Sequence, residues 1–202
     1  ALIYGDRRFS FQELESQTNQ AAHALLSWGI GRGSRVALLL PPGADAVTAF
    51  FGATKIASIA VTLDPRANGP DLDYLLRDCQ AQALVTNRGA LEPLLPRLDS
   101  FESIKHVIVM GRADSGPYHL YENIAPSCPA FPPEIEVRDD DVDMIQYTSG
   151  TTGLPKGVMT THGGHLAALK ITAETYGQNE RDVFLIPEMP PAWMLAQLVG
   201  SW

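Results

Sequence analysis

Short apolar runs alternating with stretches of helical periodicity predict an α/β fold built on doubly wound, mostly parallel sheets with flanking helices. Three observations carry this expectation. The runs "RVALLL" (35–40), "AVTL" (60–63), "ALVT" (83–86) and "HVIVM" (106–110) have strand length. Each of the first two closes on a breaker, "PPG" after Leu40 and Asp64-Pro65 after Leu63. Strands joined through helices pair in parallel with right-handed crossovers.

The elements follow in order. Ser10 and Glu13 have capping-box spacing, and Leu14, Thr18, Ala21, Ala22, Leu25 and Leu26 then recur at helical intervals until Gly29. Further helices are expected over 44–56, 71–79 and, briefly, 91–95. Periodicity is lost between Gly111 and Val137, in a stretch containing "APSCPAFPPEIEV", which reads as a surface connection. The expected division is a partial first α/β subdomain (1–115), a Pro-rich connection (116–138) and the start of a second subdomain (139–202). In that last part "MIQYT", "VMTT" and "VFLIP" read as strands and 162–176 as a helix. The acidic run Asp139-Asp140-Asp141 with Asp143 reads as solvated residues at the start of a strand, not as a metal cluster.

Composition narrows the function classes. Apolar residues make up 45% of the 202, enough for a packed core. Against 15 Lys and Arg stand 23 Asp and Glu, a formal charge of −8, so nucleic acid is not expected as a partner. Any anion must be held by a local site. Cys79 and Cys128 are far apart, which indicates neither a disulfide framework nor a metal knuckle and suits the cytoplasm. No transmembrane segment and no signal peptide are visible. Because the chain opens at Ala1 without Met and closes at Trp202 inside an apolar segment, it is expected to be cut from something longer.

The local site is "MIQYTSGTTGLPKGV", Met144 to Val158. A Walker loop needs Gly-Lys followed by Ser or Thr, with a helix behind it; here Lys156 lies between Pro155 and Gly157, and a strand leads into a second strand. The composition nonetheless suits phosphate. Thr148, Ser149, Thr151 and Thr152 offer hydroxyls, Gly150, Gly153 and Gly157 let backbone N–H groups approach an anion, and Lys156 adds a point charge. Pro155 restricts Leu154 to extended conformations.

"YTSGTTGLPKGV" resembles the signature of the adenylate-forming superfamily of acyl-CoA synthetases, peptide-synthetase adenylation domains and luciferase. The likeness continues upstream through "GIGRGSRVALLLPPGADAVTAFFGATKIASIAVTLDPRANGPDLDYLLRDCQAQALVT". It implies the N-terminal portion of that family's large domain. It also implies a reaction in which a carboxylic acid and Mg2+-ATP give an acyl-adenylate and pyrophosphate, and a thiol then takes the acyl group. That thiol would belong to coenzyme A, or alternatively to a carrier protein; a non-catalytic nucleotide-binding module is the third reading. By the resemblance, Thr148, Ser149, Gly150, Thr151, Thr152, Gly153 and Lys156 hold the β- and γ-phosphates.

Lys156 is not expected to be the catalytic lysine, which in the family lies near the far C-terminus and so beyond Trp202; the catalytic residue is unknown. His162 matches a histidine common just after the loop and either borders the acyl pocket or has a capping or packing role. Trp193, in "PEMPPAWML", falls where the family places a residue bordering that pocket, and either lines it or packs in the core. His165 is given no role. No resident metal is expected, and the chain alone is expected not to adenylate anything.

Overall fold

The computed structural model describes residues 2–67, 69–148, 154–179 and 182. A small antiparallel hairpin, β1 (Leu2–Tyr4) and β2 (Arg7–Phe9), turns at Gly5, whose φ of +58° suits glycine. Helix α1 (Phe11–Ser27) begins with the expected capping box: Ser10 Oγ accepts from Glu13 N at 3.1 Å, and Glu13 Oε2 accepts from Ser10 N at 2.8 Å.

The chain then alternates strand and helix as the sequence predicts: β3 (Arg35–Leu39), α2 (Ala44–Thr54), β4 (Ile59–Thr62), α3 (Gly69–Cys79) and β5 (Ala83–Thr86). The short helix expected over 91–95 starts earlier, as α4 (Arg88–Leu91). The reason is local, since Asn87 Oδ1 accepts from Ala90 N at 2.9 Å and caps it. A 3₁₀ segment (Leu95–Ser100) and β6 (His106–Val109) follow.

The Pro-rich connection holds more structure than its composition suggests. It contributes β7 (His119–Leu120), α5 (Tyr121–Ile124) and a 3₁₀ turn (Ala125–Ser127). It also runs back over α1, where Tyr121 Oη donates to Gln17 O at 3.2 Å and Asn19 Nδ2 to Ala130 O at 2.9 Å. Beyond it come β8 (Val142–Thr148), β9 (Lys156–Thr161) and α6 (His162–Tyr176). The strand expected at "VFLIP" lies outside the described residues.

Among the described residues one sheet of seven strands runs in the order β7-β6-β5-β3-β4-β8-β9. Every neighbouring pair is parallel except the last, where β9 returns antiparallel to β8. β8, which follows the connection, therefore joins the same sheet as the strands before it. Alternation along β3 divides the core: Val36, Leu38 and Leu40 pack with α1 and α2, whereas Ala37 and Leu39 pack with Leu72, Leu75 and Leu76 of α3. Such strands, covered on both faces, read as continuous apolar runs.

Helices α1 and α2 meet at small residues. A Cβ placed on Gly52 would stand 2.6 Å from Ala21 Cβ and 3.2 Å from Ala22 N, closer than side chains pack. Gly52→Ala is therefore expected to lower the unfolding free energy by about 1–3 kcal/mol through overpacking. Urea titration checks this, and adding Ala21→Gly should recover part of the loss.

Candidate functional site

The conspicuous loop joins β8 to β9 at the sheet edge. Thr148 is the last residue of β8 and Lys156 the first of β9, and the ladder pairs them directly. Both are exposed. Ser149, Gly150, Thr151, Thr152 and Gly153 lie outside the described residues, as does Trp193. What the structure fixes is the pair of shoulders on which the loop stands.

Alternation gives those shoulders two faces. Ile145 and Tyr147 pack against the cluster that includes α3, whereas Met144 packs with the α1–α2 cluster. Thr148, in step with Met144 and Gln146, therefore projects from the face opposite Tyr147, and Lys156 projects with it. No acidic group among the described residues pairs with Lys156. Opposite Tyr147 the ladder places Gly157, where a Cβ would stand 2.9 Å from Ile145 Cγ2. A glycine here lets the Tyr147 and Ile145 side chains lie close over the strand.

At the base of the hairpin a polar cluster ties α6 to the sheet. Thr161 caps the helix, its hydroxyl accepting from Gly164 N at 3.1 Å. His162 N donates to Asp141 O at 3.0 Å, and its half-buried ring leaves Nε2 with no partner among the described residues. Asp141 pairs with Arg32 and accepts from Arg138 N at 2.8 Å, contacts that hold its carboxyl below the usual range. Asp143 departs from the solvated reading: it is only 4% exposed, pairs with His165 Nδ1, and accepts from Thr160 Oγ1 at 3.1 Å. Burying an aspartate requires such partners.

His165 thus has a structural task that sequence reasoning missed. Two signals were present: Asp143 interrupts an apolar strand, and His162 and His165 are three apart and so share a helix face. Neither says that the two elements meet. Among the described residues, no group of three His, Cys, Asp or Glu could hold a metal by itself, and no helix is long and apolar enough to cross a membrane. An open cleft of about 790 Å³, bordered by Asp99, Glu102, Lys105 and His119, lies at the β6–β7 edge, the far side of the sheet from this hairpin.

Comparison with known proteins supplies the family. The model of the AMP-binding enzyme family matches residues 1–202, loop and sheet together. The chain belongs to the AMP-binding enzyme family. Across 204 aligned positions it is 29% identical to the 3-hydroxybenzoate-CoA/4-hydroxybenzoate-CoA ligase of Thauera aromatica, using 100% of this chain and 39% of that one. Its fold matches the inhibitor-bound N-terminal domain of FACL13 from Mycobacterium tuberculosis with a TM-score of 0.85 at 29% identity, over 97% of this chain and 48% of that one. It also matches the anthranilate CoA ligase AuaEII in complex with anthranoyl-AMP, with a TM-score of 0.81 at 28% identity, over 86% and 34%. The chain spans well under two thirds of the curated relative, and its sheet and helices are the N-terminal part of the family fold.

For this AMP-binding family member the cluster at the hairpin base sets a pH dependence. Burial holds the His162 imidazole below its ordinary 6.5, a shift that His165 adds to and Asp143, Asp141 and Asp139 oppose. The unfolded chain takes up the proton near 6.5 and the folded protein only at lower pH, so the unfolded state binds more protons in that window. Stability is therefore expected to fall as pH drops from about 7.5 to 5.5. Denaturant titrations at the two pH values check this. His162→Gln should remove part of the slope; His106, also held down by burial, contributes with the same sign.

Proposed function

We propose that the full-length protein activates a carboxylic acid with ATP and passes the acyl group to a thiol, that of coenzyme A. What carries this reading is the family match across residues 1–202, which includes "YTSGTTGLPKGV", within which Thr148 and Lys156 are paired. The relatives named as CoA ligases support it, and so does one whose structure holds an acyl-adenylate.

The chemistry follows from what a free acid lacks. A carboxylate is a poor electrophile because its leaving group would be an oxide. In the first step a carboxylate oxygen bonds to the α-phosphorus, the bond from that phosphorus to the bridging oxygen breaks, and pyrophosphate departs with the electron pair. In the second, the thiolate bonds to the acyl carbon and AMP leaves, giving a thioester.

The loop residues would work on the first step. Thr148, Ser149, Gly150, Thr151, Thr152, Gly153 and Lys156 hold the β- and γ-phosphates, so that charge growing on the pyrophosphate meets donors and a cation already in place. Lys156 suits this, being exposed and unpaired among the described residues. Mg2+ enters as part of the MgATP substrate, held chiefly by phosphate oxygens. His162 and Trp193 are assigned to the border of the acyl pocket, and the catalytic lysine to a part of the full-length protein beyond Trp202. With both described cysteines free, we place the protein in the cytoplasm.

The test is ATP–pyrophosphate exchange by the full-length protein across a panel of aromatic and aliphatic acids, with thioester formation from coenzyme A as second readout. Exchange is expected with at least one acid, and Lys156→Ala should reduce it about 100- to 1000-fold, the range for losing one donor to a developing oxyanion. Residues 1–202 alone should give no exchange above that variant. A full-length protein that binds ATP but never exchanges pyrophosphate would overturn the enzymatic reading.

A further inference from the structure

Two side chains of α3 reach the two shoulders of the loop. Tyr74 and Asp78 are four residues apart on that helix and so share one face. Tyr74 Oη donates to the carbonyl of Pro155 at 3.2 Å, and Asp78 Oδ2 accepts from Tyr147 Oη at 2.5 Å. Each contact falls on the residue just before one of the paired shoulder residues, since Tyr147 precedes Thr148 and Pro155 precedes Lys156.

Peptide geometry turns the first contact into a constraint on Lys156. The Pro155 carbonyl and the Lys156 N–H belong to one planar unit, so fixing the oxygen fixes the direction of that N–H. Proline has no N–H of its own, which leaves the carbonyl as its one backbone hydrogen-bonding group. On the other strand, the Tyr147 ring passes over Gly157, where a Cβ would stand 3.5 Å from its Cζ. Among the described residues β9 is the edge strand of the sheet, with ladder bonds to β8 alone. The β8–β9 ladder pairs Lys156 with Thr148, and the Tyr74 bond to the Pro155 carbonyl adds a tie from α3 one residue before that pair.

We propose that Tyr74 and Asp78 are positioning residues for the phosphate-binding loop: α3 holds the two shoulders at a fixed separation, so that Thr148 and Lys156 are already in place when ATP arrives. The proposal rests on the functional reading above. Both residues act from the face opposite Thr148 and Lys156, so they touch no phosphate, and their effect is preorganisation. Burial, followed by the neighbouring Asp78, pushes both phenols above their ordinary range. Each therefore remains a donor at neutral pH.

The experiment measures KM for MgATP and for the acid in the exchange assay of the full-length protein, alongside its thermal midpoint. Tyr74→Phe removes one oxygen. The loss of one hydrogen bond corresponds to about a 2- to 10-fold rise in KM for MgATP. The KM for the acid and the thermal midpoint are expected to stay near wild type. Asp78→Ala should act in the same direction, and Asp78→Asn, which keeps an acceptor oxygen, should act less. Tyr121→Phe is the control: it deletes a comparable bond, to Gln17 O at 3.2 Å on the α1 side, and should leave KM for MgATP unmoved.

The proposal is overturned if Tyr74→Phe leaves KM for MgATP unchanged, or if both KM values rise together with a fall in the midpoint. Should Asp78→Ala fail to fold, Tyr74→Phe decides alone. Exchange by the wild type with unaffected variants removes this proposal only. A wild type that neither exchanges pyrophosphate nor binds MgATP by calorimetry removes the functional reading and this one with it.

Discussion

The parallel ladder between β4 and β8 is the constraint on which the rest depends. It pairs Ala60 with Met144, Val61 with Ile145 and Thr62 with Gln146, in a region where Ala60 is fully buried and Met144 nearly so. Because β8 runs parallel to its neighbour, its carboxyl end stands beside the carboxyl ends of the other parallel strands. That end of an open α/β sheet is where ligand clefts form. The antiparallel return of β9 then brings the chain back from that end without a crossover helix, which a further parallel strand would have required.

Helix α3 shows how one element serves packing and site together. Leu72, Leu75, Leu76 and Cys79 form its buried stripe, and the Cys79 thiol, pushed up to about 11 by burial, is a small apolar filler at neutral pH. Tyr74 and Asp78 flank that stripe at the same helical spacing and turn to the hairpin. The packing that holds α3 against β3, β4 and β5 thus also sets the reference point for the loop.

How far the sequence could be read depended on whether a feature was local. The capping box of Ser10 and Glu13, the strand at 83–86 and the helix over 162–176 all follow from neighbours within a few residues and stand as expected, and the strand expected at 106–110 stands one residue shorter. The family was legible because the composition of "YTSGTTGLPKGV" is itself the signal. Contacts between distant segments left no such trace: Asp78 with Tyr147, Asp143 with His165, and Trp28 stacked at 4.6 Å on His119 each join residues that no periodicity relates. The two-residue β7 was hidden for another reason. A strand that short has no alternation to read, and it exists because the edge of β6 offers unpaired backbone groups beside it.

The Pro-rich stretch after β7 must carry the chain from one edge of the sheet past β6, β5, β3 and β4 to reach β8. It makes the journey along α1, with footholds at Gln17, Asn19 and His23 and a last one where Arg32 meets Glu136 O and Asp141. Covalent continuity and structural continuity are therefore carried by different parts of the molecule. The strap joins the two halves of the chain, while the β4–β8 ladder joins them in space. A nick near the exposed Phe131 would cut the first and leave the second intact, so the position of the loop hairpin belongs to the sheet and not to the tether that delivers it.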